Sequence, residues 1–166
     1  MYVITVMNYL FSRKLLVEAI AGLFILLFVY TALNKLLAFK AFQLVLSRSP
    51  LIGKAALTAA LLIPSVEILV TVLLFLPLTR KFGLAAATIL MAAFAGYVAY
   101  MVMWVPDLPC SCGGIFQGMS WRMHLVFNVA ASVLAFLGWR LQAHEDRLWL
   151  LKLDQSFIDK QAMPKT

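Results

Sequence analysis

Four long apolar runs, separated by short basic or proline-bearing segments, set the pattern of this chain. They cover about residues 15–33, 51–76, 83–105 and 121–141. At about 1.5 Å per residue, each helix is long enough to cross a hydrocarbon core of about 30 Å. The pattern predicts an all-α integral membrane protein, a bundle of four transmembrane helices, as one membrane domain over 1–141. Pro50 and Pro77 mark the ends of the second run, and Pro64 near its middle is expected to kink it. The third run is rich in alanine with Gly96, which lets helices approach closely in lipid.

The intervening segments read differently. Residues 1–12 are mildly apolar and are expected at the interface. Arg13-Lys14 before the first run has the look of a signal peptide, but the run is too long for an h-region and no small-x-small site closes it. Glu18 follows Lys14 in the weaker orientation of such a pair and reads as a solvated end residue. In 34–49, Leu36, Leu37, Phe39, Phe42, Val45 and Leu46 share much of one helical face, with Lys35, Lys40, Gln43 and Arg48 mostly elsewhere. That is the pattern of an interfacial helix in the headgroup plane, unless it simply extends the first span. Residues 142–166 are charged and read as an amphipathic surface tail.

Composition agrees. Of 166 residues 64% are hydrophobic and 13% charged, with a mean hydropathy of +0.95, which is a membrane composition. The net charge of +7 in a soluble protein would suggest nucleic acid. Here the basic residues lie in short loops beside apolar runs, where topology and anionic lipid account for them. Four spans put both termini on one side. That side carries Arg13, Lys14, Arg80, Lys81, Arg140, Arg147 and Lys152; the other carries Lys35, Lys40, Arg48, Lys54 and Arg122. The bias expects cytoplasmic termini, with the connection between the third and fourth runs facing outward.

That connection holds both cysteines, in Pro109-Cys110-Ser111-Cys112-Gly113-Gly114. Stabilisation by a disulfide grows with the loop it closes, and one intervening residue closes almost nothing. The small ring is strained and easily reduced. Zinc wants four ligands, and Asp107 and His124 supply too few at awkward spacing, so no metal is expected. Inert thiols are the remaining bland reading. The functional one is a redox dithiol: one thiolate attacks a partner disulfide and the other cysteine resolves the mixed disulfide. Arg122, His124 when protonated, and the start of the fourth helix favour thiolate. Ser120 is positioned to cap that helix.

With these residues in view, the chain resembles the MauE family, within the wider DoxX-like group of four-helix membrane proteins. The likeness rests on Asn34-Lys35-Leu36 ending the first span, on Ile63-Pro64-Ser65-Val66-Glu67, and on the Cys-Ser-Cys-Gly-Gly loop. It implies a redox-associated membrane protein working with an extracytoplasmic thioredoxin-like partner in disulfide formation or maturation of exported proteins. It also implies architectural kinship with quinone-linked thiol oxidoreductases of the DsbB and vitamin K epoxide reductase kind. This chain has Ser-Cys-Gly-Gly where the family form is Gly-Cys-Phe-Gly, and it lacks the second cysteine pair of the quinone-linked enzymes. Methylamine chemistry is therefore not carried over.

Glu67 is the other residue singled out. A charged acid deep in the bilayer costs at least about 2–3 kcal/mol, so it must be protonated or paired. Asn34, Lys35, Tyr97 and Asn128 are its candidate partners. An interhelical hydrogen bond and a proton relay for thiol or quinone chemistry are both open. His124 can move a proton during exchange or serve only as an interfacial residue. Trp104 and Trp121 can frame a quinone, or belong to the aromatic belt. The leading reading is a thiol–disulfide oxidoreductase with catalytic residues Cys110, Cys112, His124, Arg122 and Glu67. The alternatives are a non-enzymatic subunit anchoring a larger membrane complex and, with less support, a proton-coupled transporter built on Glu67.

Overall fold

The computed structural model describes residues 2–105 and 120–162. Five α-helices follow in order: α1 (Tyr2–Leu37), α2 (Phe39–Ser47), α3 (Ala56–Phe75), α4 (Arg80–Trp104) and α5 (Trp121–Ala162), with a 3₁₀ turn at Gly53–Ala55 leading into α3. Four stretches are long and apolar enough to cross a membrane: Arg13–Leu37, Gly53–Phe75, Arg80–Trp104 and Trp121–Arg147. The expected all-helical four-span bundle is the fold.

Neighbouring spans run antiparallel. α1 meets the start of α4 through Glu18 and Arg80 at one end, and meets α3 through Lys35 and Glu67 toward the other. α1 meets α5 through Arg13 and His144, and a Cβ on Gly138 of α5 would come within 3.0 Å of the Ile20 side chain. In the long α4–α5 contact, the Ser132 hydroxyl donates to the Thr88 carbonyl at 3.4 Å. The main core lies among these helices. Phe24 and Phe28 of α1, Val70 and Leu74 of α3, Leu84, Ala87 and Met91 of α4, and Ala131 and Ala135 of α5 are all buried. Outward faces are apolar as well: Leu26, Leu69, Ile89 and Val126 are mostly exposed. In a membrane chain these face lipid tails, whose apolar chemistry matches theirs.

The joint between α3 and α4 is tight. Gly83 lets α4 lie against the end of α3, where a Cβ would stand 2.8 Å from the Leu74 nitrogen. Nearby, the Thr79 hydroxyl donates to the Leu73 carbonyl at 2.9 Å and Arg80 Nε to the Leu74 carbonyl at 3.4 Å. Both satisfy carbonyls that the end of α3 leaves open.

The structure adds detail to the expectations in four places. Residues 2–12 are the first turns of α1, ahead of the stretch Arg13–Leu37 that is apolar enough to cross a membrane. The helix after the first span begins only at Phe39, past a break at Ala38. Its apolar residues Phe42 and Leu46 pack on Ala56 and Ala60 at the start of α3. Pro64 sits inside α3, which is helical on both sides of it, and the Ser65 hydroxyl donates to the Leu61 carbonyl at 2.8 Å. The expected tail is the continuation of α5, helical to Ala162.

Candidate functional site

Helix geometry explains how Lys35 and Glu67 come together. Every Cα–Cβ bond in a helix tilts toward that helix's N-terminus. Lys35 lies in the last turn of α1, so its side chain leans back into the bundle. Glu67 lies on the antiparallel α3, so its side chain leans toward the end where α1 finishes. Lys35 Nζ donates to Glu67 Oε1 at 2.5 Å. The Lys35 side chain is 15% exposed and that of Glu67 only 1%.

The surroundings are mostly apolar. Lys35 Nζ stands 5.9 Å from the ring centre of Phe42 on α2 and 5.6 Å from that of Phe94 on α4. Such ring faces attract a cation and cost it little further desolvation. Thr31, one turn earlier on α1, lies beside the carboxylate, and its hydroxyl donates to the Phe28 carbonyl at 3.2 Å. Glu67 Oε2 is buried and takes no hydrogen bond among the described residues. The main core lies on one side of the pair, with Val70 and Leu74 following Glu67 along the buried face of α3. The smaller cluster of Phe42, Leu46, Ala56 and Ala60 lies on the other.

Of the four candidate partners for Glu67, the structure selects Lys35. Asn34 turns back on α1, its Nδ2 donating to the Tyr30 carbonyl at 2.8 Å. Asn128 is buried on α5, and Tyr97 is half-buried on α4. Phe42, which the sequence put on the apolar face of the helix after the first span, and Phe94, which it did not single out, complete the site. Nothing local distinguishes Phe94 from the other phenylalanines of the spans.

Cys110 and Cys112 lie outside the described residues. The connection that carries them leaves α4 after Trp104 and enters α5 at Trp121, at the end of the bundle where α1 finishes. Ser120 caps α5 as expected, its hydroxyl accepting from the Met123 N–H at 3.3 Å. Arg122 is exposed and His124 half-buried in the first turn of that helix. Trp104 is 64% exposed and stacks on Tyr100 with ring centres 5.4 Å apart; Trp121 is half-buried.

A family model described as methylamine utilisation protein MauE matches residues 13–141. The chain belongs to the MauE family. No curated protein and no solved structure gives a significant match to it. The matched stretch holds the Lys35–Glu67 pair, both cysteines and most of the four candidate spans. This MauE-family chain is a multi-pass membrane protein whose outward faces meet lipid.

Proposed function

We propose that this MauE-family protein is a membrane thiol–disulfide redox protein in which Cys110 and Cys112 exchange with an extracytoplasmic thioredoxin-like partner or client. The supporting observation is the capped start of α5 that follows the Cys-Ser-Cys-Gly-Gly segment in the chain. In sequence, residues 115–119 separate that segment from Ser120, which caps the N-terminus of α5, with Arg122 and His124 in the first turn of that helix. Unsatisfied N–H groups at a helix start and a nearby guanidinium both favour thiolate over thiol.

The exchange balances without another reactant. A thiolate of one cysteine attacks the partner disulfide and expels one partner thiolate. The second cysteine then attacks the mixed disulfide and expels the other. Two thiols of this chain become a disulfide, and the partner's disulfide becomes two thiols that take up the protons released. Run backwards, the same steps oxidise the partner. His124 is the proposed proton carrier between them. A quinone is the proposed two-electron carrier within the membrane. The exposed face of Trp104, backed by Tyr100, offers a flat surface for such a ring, with Trp121 across the connection. In this reading the protein sits in the bacterial inner membrane with cytoplasmic termini.

The test is trapping. Cys110→Ser and Cys112→Ser variants, expressed in cells and quenched with acid, are expected to differ. The variant retaining the attacking cysteine accumulates a reducible mixed disulfide with an extracytoplasmic protein, and the other does not. Absence of any adduct from both variants sinks the reading and favours the second one, a membrane subunit that anchors a larger complex without thiol chemistry.

A further inference from the structure

We infer that Lys35 and Glu67 form a proton-binding site open to one end of the bundle only, the end where α1 finishes and α5 begins. The inference goes beyond the thiol reading and uses neither cysteine. It rests on three features.

The first is sealing. Beyond Glu67, toward the far end of α3, the shared interior is occupied by Val70, Leu74, Phe28, Phe24 and Leu84, each 2% exposed or less. The hydroxyls beside that layer, of Thr71, Thr88 and Ser132, are engaged as donors to backbone carbonyls of Glu67, Leu84 and Thr88. The second is the mouth. Lys35 is the partly exposed member of the pair and lies in the last turn of α1. A proton reaching Glu67 from water therefore passes Lys35. The third is the open oxygen. Glu67 Oε2 is buried and takes no hydrogen bond among the described residues, the neighbouring Thr31 hydroxyl being turned to the Phe28 carbonyl. This is costly for a carboxylate and is relieved when that oxygen carries a proton.

The chemistry is a transfer of protons with no change in electrons. In the paired state the ammonium of Lys35 faces the carboxylate of Glu67. Moving one proton from Nζ to the carboxylate leaves an amine and a carboxylic acid with no net charge. The amine then takes a proton from water at the open end, and the site is loaded with Lys35 charged and Glu67 neutral. Unloading reverses both steps. Lys35 is the one charged group paired with Glu67 among the described residues. α2 and α4 present the uncharged rings of Phe42 and Phe94 to it. His124 and Asn128 on α5 make no ion pair with Glu67.

The experiment uses the full-length protein in vesicles of a single orientation, with inside and outside pH set separately. A membrane-permeant carbodiimide, which attacks the protonated carboxyl, is added, and labelling of Glu67 is read by mass spectrometry. Labelling should rise up to about tenfold per pH unit of acidification on the α1 C-terminal side while the carboxyl is mostly ionised. It should stay flat when only the other side is acidified. Labelling that follows the far side, both sides equally, or neither overturns the inference. Lys35→Arg supplies the control. It keeps an ion pair, but arginine does not release its proton. The inference expects it to fold and to lose the pH response; an unchanged response removes Lys35 from the path. The Cys110→Ser/Cys112→Ser double variant should label like wild type, so this result stands or falls separately from thiol exchange.

Discussion

A single buried ion pair is the feature of this chain with the most at stake per residue. Each partner is costly to bury alone, and their attraction repays the cost only while both are present. Lys35→Met and Glu67→Leu should each destabilise the fold. The double variant should be less destabilised than the sum, with a coupling of about 1–3 kcal/mol. Unfolding of all four proteins in one detergent measures it, and additive effects would mean that the pair is not formed. Glu67 was legible in the sequence because an acid inside an apolar run has to be accounted for. Its partner was narrowed but not decided, because four polar residues on three helices were available. The choice depends on how far each side chain leans along its helix, which apolar periodicity does not report. Phe94 was not legible at all, since a ring facing a lysine and a ring facing lipid look alike in an apolar run.

Among the elements, the glycines separate by what they touch. Gly83→Ala pushes a methyl group against the backbone of α3 at Leu73 and Leu74. It should cost about 1–3 kcal/mol as α3 and α4 part. Gly22→Ala and Gly96→Ala meet nothing within 4 Å and should stabilise by about 0.4–1 kcal/mol. Thermal unfolding of the three side by side checks the order; equal effects would mean that α4 does not press on α3. The cap of α5 gives a second measure. Ser120→Ala should cost about 0.5–2 kcal/mol and Ser120→Asp little. The spans were readable because each is an apolar run bounded by proline or charge. The outer turns of α1 and α5 were not. Residues 2–12 and 142–162 contain no glycine or proline to stop a helix, and their polar residues suggested a change of environment where the backbone makes no change of conformation.

At the scale of the whole molecule, the two ends of the bundle differ in kind. One end is laced by pairs between helices: Arg80 with Glu18 at 3.7 Å, Lys81 with Asp146 at 3.4 Å, and Arg13 with His144 at 3.4 Å. These partly exposed contacts are worth about 0–1 kcal/mol each, so they serve register more than stability. The other end carries the cysteine connection, with the Lys35–Glu67 pair reaching toward it. A membrane-impermeant maleimide added to intact cells should modify Cys110 and Cys112. A cysteine placed by Lys81→Cys in a cysteine-free background should stay unmodified until the membrane is opened. The reverse pattern would invert the proposed topology. The two-sided character was legible only as a modest excess of basic residues, because helix α2 and its flanks add positive charge to the opposite side.

The length of α5 has a mechanical consequence. An unbroken helix of 42 residues extends about 63 Å, roughly twice the hydrocarbon thickness. About half of that length extends past a bilayer crossed from Trp121, so any tilt about the bilayer centre moves Ala162 further than Trp121. A tilt too slight to notice near Trp121 becomes a broad sweep at Ala162, where a reporter dye would register it.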